Sequence, residues 1–322
     1  NTDFRKPAKI KPQKKKKPKP KKPVNSANTS AETTTLGMLQ NENGFTMRNN
    51  EFPKAFIPDG ERRPGGLWFK IETMQCTPSP KNLKWRIVLL SQEKNSWMHR
   101  TNPFPKECEI VDITVDEDFT SKSGYAIVKK ALSDDCPTAV LISLPYTGNC
   151  SFNANVKSKD PKCIEGLANH EVLLNKLLTQ LVRLKKEVGW FPAIFEWPKS
   201  CADWNRPIVK NFLASMKMFN SDFDRCRFGL KSLRKGEEHA FLQKPWRIAS
   251  NLPTVSELFS DVKCLGSSGE HVHCSTSDGN LTTSQNYTAF SAYALHTAVF
   301  FFFSQYVSGH HVCMSAEKCF CC

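Results

Sequence analysis

The chain has 322 residues and 39% hydrophobic content, enough for one large buried core or two small ones, which excludes a wholly unfolded polyelectrolyte. Its formal charge of +14 is concentrated: residues 1–23 hold ten lysines and Arg5 against Asp3, a net +10, so attraction to polyanions belongs to that segment and the remainder is nearly balanced. Thirteen cysteines without a regular frame, and no charged-then-apolar leader, argue against a disulfide scaffold and for a reducing, intracellular setting.

In chain order, Lys6–Pro23 alternates lysine blocks with proline, which blocks helix while like charges repel, so a disordered, extended arm is expected over residues 1–23. Its densest block, Lys14, Lys15, Lys16 and Lys17, suits nucleic-acid phosphates or an anionic surface through counterion release, and equally a nuclear-import signal. A merely solubilising tail is the alternative. The chain opens at Asn1 rather than methionine, so a processed product or a piece of a longer polyprotein is expected. Residues 24–82 read as a linker whose apolar patches, Phe52–Ile57 and Leu67–Ile71, end by docking on the domain that follows.

Over residues 83–307 short apolar runs alternate with helical periodicity. Strands are expected at Trp85–Leu90, Glu109–Thr114, Ala139–Leu144 and Phe191–Glu196, and helices at Ser123–Leu132, His170–Glu187 and Pro207–Met218. Phe223–Leu230 and Trp246–Ser250 read as a late hairpin pair. That alternation predicts an α/β fold, a Rossmann-like, mostly parallel sheet with helices on both faces. In such sheets ligands gather at the carboxyl edge, so the loops 91–101, 116–120, 145–150 and 196–204 are the first places to look. There, Asp118 can accept from a ribose or cap the helix beyond Thr120.

At these loops the chain resembles a methyltransferase-like, Rossmann-type domain of retroelement polyproteins, abundant in dinoflagellate genomes. The resemblance rests on Asn95-Ser96, Asp118-x-Thr120, Ser143-Leu144-Pro145-Tyr146-Thr147, Glu196-Trp197-Pro198 with Trp204, FDRCRFGL (Phe223–Leu230), KPWRIASN (Lys244–Asn251), the Cys264–Cys274 cluster and Tyr287-Thr288, all in one order. It implies S-adenosylmethionine as cofactor, held near Asn95, Ser96 and Asp118, and a catalytic edge formed by Pro145, position 146 and Glu196. In cytosine methyltransferases a cysteine follows that proline and adds to the base as thiolate. Here Tyr146 stands in its place, and a phenol with reference pKa near 10 is bulkier and a poorer nucleophile. Residues 91–100 also contain no glycine for a close cofactor approach. The resemblance therefore implies a catalytically impaired, nucleic-acid-associated module. The alternatives are an active S-adenosylmethionine-dependent methyltransferase and a non-enzymatic interaction protein with a polybasic arm.

Three further signals remain. Lys244 and Arg247 flank Trp246, two cations beside an aromatic face, as phosphate contact and base stacking require; a core tryptophan with solvated charges reads equally well. Cys264, His271, His273 and Cys274 follow a C-x6-H-x-H-C spacing whose soft donors suit zinc. Tyr287–Val307 has no formally charged residue but carries Ser, Thr, His and Gln, so a helix packed on the sheet is expected rather than a membrane span. Residues 308–322 are a cysteine-rich tail, with palmitoylation one reading of Cys319, Cys321 and Cys322.

Overall fold

The computed structural model describes residues 66–75, 83–91, 96–114, 118–144, 161–232, 234–237, 239–266, 271–274 and 287–308, all within the second of two compact units, Asn43–Cys322. The lysine arm with Lys14–Lys17, the first part of the linker, Asn95, Pro145, Tyr146 and the cysteine-rich tail lie outside the described residues.

Eight strands are described: β1 (Trp85–Leu90), β2 (Cys108–Ile113), β3 (Thr138–Ile142), β4 (Ala193–Pro198), β5 (Phe219–Asp224), β6 (Phe241–Leu242), β7 (Pro245–Ser250) and β8 (His273–Cys274). Six form one sheet in the order β2-β1-β3-β4-β7-β5, and β6 pairs with β8 in a separate two-stranded ribbon. Strands β1 to β4 are mutually parallel, while β7 runs antiparallel to both β4 and β5. The sheet is mostly parallel, as expected, and the order turns back on itself at β1. After β1 the chain goes to β2 on one side and β3 on the other, which leaves a switch point between β1 and β3 at the carboxyl edge.

Side-chain alternation explains why this sheet needs helices on both faces. Trp85, Ile87 and Leu89 of β1 enter one core with Ala139, Leu141, Ile194 and Ile248, whereas Val88, Leu90, Val140, Ile142, Phe195 and Trp197 enter the other. The first core is closed by α1 (Leu67–Gln75), α2 (Trp97–Arg100), α6 (Pro253–Phe259) and α7 (Ala289–Val307). The second is closed by α3 (Lys122–Ser133), α4 (Pro161–Val188) and α5 (Pro207–Ser215), with Leu174, Leu177, Leu178, Leu181 and Leu184 of α4 buried at helical spacing.

Several boundaries differ from expectation for local reasons. Helix α4 starts nine residues earlier than the apolar stripe suggests, at Pro161, which suits a first helical turn. Helix α5 stops at Ser215 because Lys217 takes a left-handed φ of 54°; Met218 and Lys217 then donate to Leu213 and Ala214, closing the helix end. The strand that pairs with β7 is Phe219–Asp224, and Arg225–Phe228 is a 3-10 turn rather than a continuation of strand. The docking segment forms α1, with Leu67 and Ile71 buried. Helix α7 is buried almost throughout and packs over the sheet, opened by a capping box between Thr288 and Ser291. Among the described residues no helix is long and apolar enough to cross a membrane.

Candidate functional site

Because β1 to β4 are parallel, the turns that follow them share one edge, and neighbouring strand ends are stitched together there. Ser91 N–H donates to Ile113 at 2.9 Å and Ser143 N–H to Leu90 at 3.2 Å. Ser91 holds φ at +62°, the left-handed region usually reserved for glycine. Ser91 thus adopts a glycine-like conformation, at a cost of about 1–2 kcal/mol.

Glu196 is placed on the α6/α7 side of the sheet by alternation, since Phe195 and Trp197 face the other core. It is buried, and both carboxylate oxygens are engaged: Oε1 accepts from the Ser143 hydroxyl and Oε2 from the Trp246 indole N–H. Register explains the first contact, because Ile142 is paired with Phe195 and the next residues along each strand are Ser143 and Glu196. Tyr287 lies beside the same carboxylate. Burial, and then the Glu196 charge, push its phenol well above the ordinary tyrosine range. Arg225 is buried and stacks on Trp246, its guanidinium carbon 4.6 Å from the ring centroid. Neighbouring tryptophans serve the backbone: Trp197 Nε1 donates to Leu144 at 2.8 Å and Trp204 Nε1 to Pro198 at 2.9 Å.

The other expected cofactor residues are engaged locally. Ser96 caps α2 by accepting from Met98 N–H at 3.2 Å. Asp118 accepts from Thr120 N–H at 2.8 Å and also from the Thr120 hydroxyl, while Ser121 is the residue that caps α3. Asp112 near the end of β2 binds His99 Nε2 of α2 at 2.8 Å, a pair that the apolar pattern of β2 does not announce. A cavity of about 340 Å³ between α1, α6 and α7 is lined by Lys70, Thr73, Glu257 and Phe301 and includes none of the carboxyl-edge residues.

The KPWRIASN reading changes in detail. Trp246 is core, and Arg247 is committed to Asp222 by two hydrogen bonds of 2.6 and 3.1 Å, which hold the Asp222 carboxyl below its usual range. Lys244 is half-buried with its ammonium 4.9 Å from the Trp246 centroid.

A second cluster lies beyond the late antiparallel pair. Cys226, Cys264, His271 and His273 bring their ligand atoms within 4.8 Å of one another, a group that can hold a metal ion. Cys264 Sγ is 3.6 Å from His271 Nε2 and 3.5 Å from His273 Nε2, and the two Nε2 atoms are 2.9 Å apart. Burial, the adjacent His273 and then Arg227 bring His271 down to about 4, and burial lowers His273 as well, so both imidazoles are neutral donors at neutral pH. Burial and the nearby Cys264 push the Cys226 thiol up.

Cys274 is not in this group, which corrects the expected ligand set. His273 and Cys274 are successive residues of β8, so their side chains leave opposite faces, and Cys274 Sγ turns to the Phe241 carbonyl at 3.6 Å. Cys226 takes its place from 38 residues upstream of Cys264, in the 3-10 turn after β5. It stood inside FDRCRFGL, but only tertiary structure joins that motif to the histidines. No protein-family model and no curated protein matches the chain.

Proposed function

We propose that this chain is a catalytically impaired, methyltransferase-like Rossmann-type domain that acts as a nucleic-acid-associated module, its lysine arm supplying the attraction and a structural zinc ion bracing the fold. The observation that carries the impairment is Glu196: it is buried and already accepts from Ser143 and Trp246 within the fold. A general base or ring-binding carboxylate must meet its substrate, and a carboxylate 5% exposed offers little open face to one. Tyr146 in the position of the thiol argues in the same direction. The switch point between β1 and β3 supports a ligand-binding ancestry for the edge.

The metal reading is zinc. Zn–S near 2.3 Å and Zn–N near 2.0 Å in a tetrahedron set S···N edges of about 3.5 Å. Of the four such edges, the two from Cys264 are 3.6 and 3.5 Å, while the His271 and His273 Nε2 atoms, 2.9 Å apart, must open to about 3.3 Å around the ion. Four protein ligands leave no open position, which makes the ion structural rather than catalytic.

The test uses the full chain with labelled S-adenosylmethionine, DNA and RNA, in parallel with salt-dependent binding. No methyl transfer is expected, together with nucleic-acid binding that weakens steeply with salt, by a slope of roughly −0.9 per phosphate neutralised, and is lost when residues 1–23 are removed. Methyl transfer that Glu196→Gln abolishes would overturn the impairment. Equal binding by the shortened chain would take the arm out of the proposal.

A further inference from the structure

The two clusters are joined by one short turn. Arg225–Phe228 sends each residue to a different neighbour: Arg225 to the face of Trp246, Cys226 to the metal group, Arg227 to the field around His271, and Phe228 to the aromatic core against Phe259, 4.9 Å between centroids. Its backbone makes few bonds among the described residues: Arg225 N–H reaches Lys244 at 3.1 Å, the Phe228 carbonyl accepts from the Thr288 hydroxyl at 2.5 Å, and the Leu230 and Gly229 N–H groups return to Arg225 and Cys226. Gly229 ends the turn at φ 79°, which a side chain would strain. The pieces facing the turn are equally slight. Cys264 N–H binds Asp224 Oδ2 at 2.9 Å, and His273 sits on a two-residue strand, too short to persist by pairing alone.

A buried guanidinium is costly to hold. Arg225 is 4% exposed, lies over the Trp246 ring and is the chain neighbour of Cys226, so a clamp on Cys226 also fixes Arg225. We propose that the metal held by Cys226, Cys264, His271 and His273 provides that clamp: it sets Arg225 on Trp246 and so completes the Glu196 cluster at the carboxyl edge. Arg225 is then a positioning residue, and metal occupancy is read out at Trp246, whose indole N–H is bonded to Glu196. This inference rests on the metal reading above.

Solvent exchange of the tryptophan indole N–H groups tests it, in full-length protein labelled with ¹⁵N-tryptophan, zinc-loaded and after chelation, with the Trp246 signal assigned through Trp246→Phe. Chelation is expected to speed exchange at Trp246 about tenfold or more, with Trp197 and Trp204 unmoved because their acceptors lie on strand ends the turn does not touch. Arg225→Gln in the zinc-loaded protein is expected to give a similar acceleration with zinc affinity unchanged. Zinc binding with Trp246 exchange unmoved by chelation or by Arg225→Gln would overturn the coupling alone. Acceleration at all three indoles would overturn it too, since the metal would then be holding the whole sheet. Failure to bind zinc in a chelator competition would overturn the metal reading itself.

Discussion

The carboxyl edge around Glu196 and the cluster around Cys226 are both buried or half-buried polar sites in one domain, and they are built on opposite principles. At Glu196 a buried acceptor meets donors from its own chain, Ser143 and Trp246, with the Tyr287 phenol beside them. At Cys226 two thiols and two neutral imidazoles converge, all able to present lone pairs toward one point. Donors matched to an acceptor occupy a carboxylate within the fold, whereas converging lone pairs can hold a cation between them.

The largest expected effect separates those principles. Cys226→Ser or Cys264→Ser should weaken zinc binding by about 1,000-fold or more, measured by competition with a chromophoric chelator, while Cys274→Ser leaves it unchanged. Acid should act in the same direction, because thiols must lose protons to bind and burial already raises that of Cys226. Equal losses in the Cys226 and Cys274 variants would erase the distinction between the two faces of β8.

On the other side of the comparison, Glu196→Ala strands the Ser143 hydroxyl and the Trp246 indole N–H and should cost about 3–4 kcal/mol in denaturant unfolding. Glu196→Gln keeps one of the two acceptor oxygens and should cost about half as much. A near-neutral Glu196→Ala would mean that the cluster is not closed as described.

His296 offers a third test, a buried polar group only half satisfied. Its Nε2 reaches the Met98 carbonyl at 2.7 Å, which places the proton on that nitrogen, while Nδ1 has no hydrogen-bond partner among the described residues. Burial, against the Met98 bond and with His99 nearby, brings it from 6.5 down to about 4. Between those values the unfolded chain takes up a proton that the folded chain refuses, so stability falls as pH is lowered from 6.5 to 4, by up to about 3 kcal/mol. The dependence of stability on pH across that window should become shallower in His296→Gln, the remainder coming from His271 and His273.

The smallest effect belongs to the strained turn after β1. Ser91→Gly relieves the left-handed conformation and should stabilise the protein by about 0.5–1 kcal/mol, with Ser91→Ala giving no such gain.

Much of the fold was legible in the residues. WRIVLL and AVLISL carry the apolar density of strands buried on both faces, EIVDIT admits polar residues as a half-buried edge strand does, and the leucines of α4 repeat at helical spacing, so the α/β class follows from pattern and burial. Glu196 and three of the four converging ligands were also visible, because strand ends and clustered Cys and His residues announce themselves locally. Cys226, Arg225 and the bonding of Glu196 did not. They depend on the antiparallel return of β7 between β4 and β5 and on which face of β8 each residue leaves.

By itself, then, the sequence determined where charge is stored, that β1 to β4 are strands and α3, α4, α5 and α7 helices, and that those strands lie mostly parallel under two layers of helix. These follow from local periodicity and from the need to bury apolar faces. Tertiary structure alone decided that Glu196 meets Ser143 and Trp246, that Cys226 replaces Cys274, and that one four-residue turn links both sites. Such choices are made by contacts between residues 38 to 53 positions apart, whose geometry no local pattern encodes.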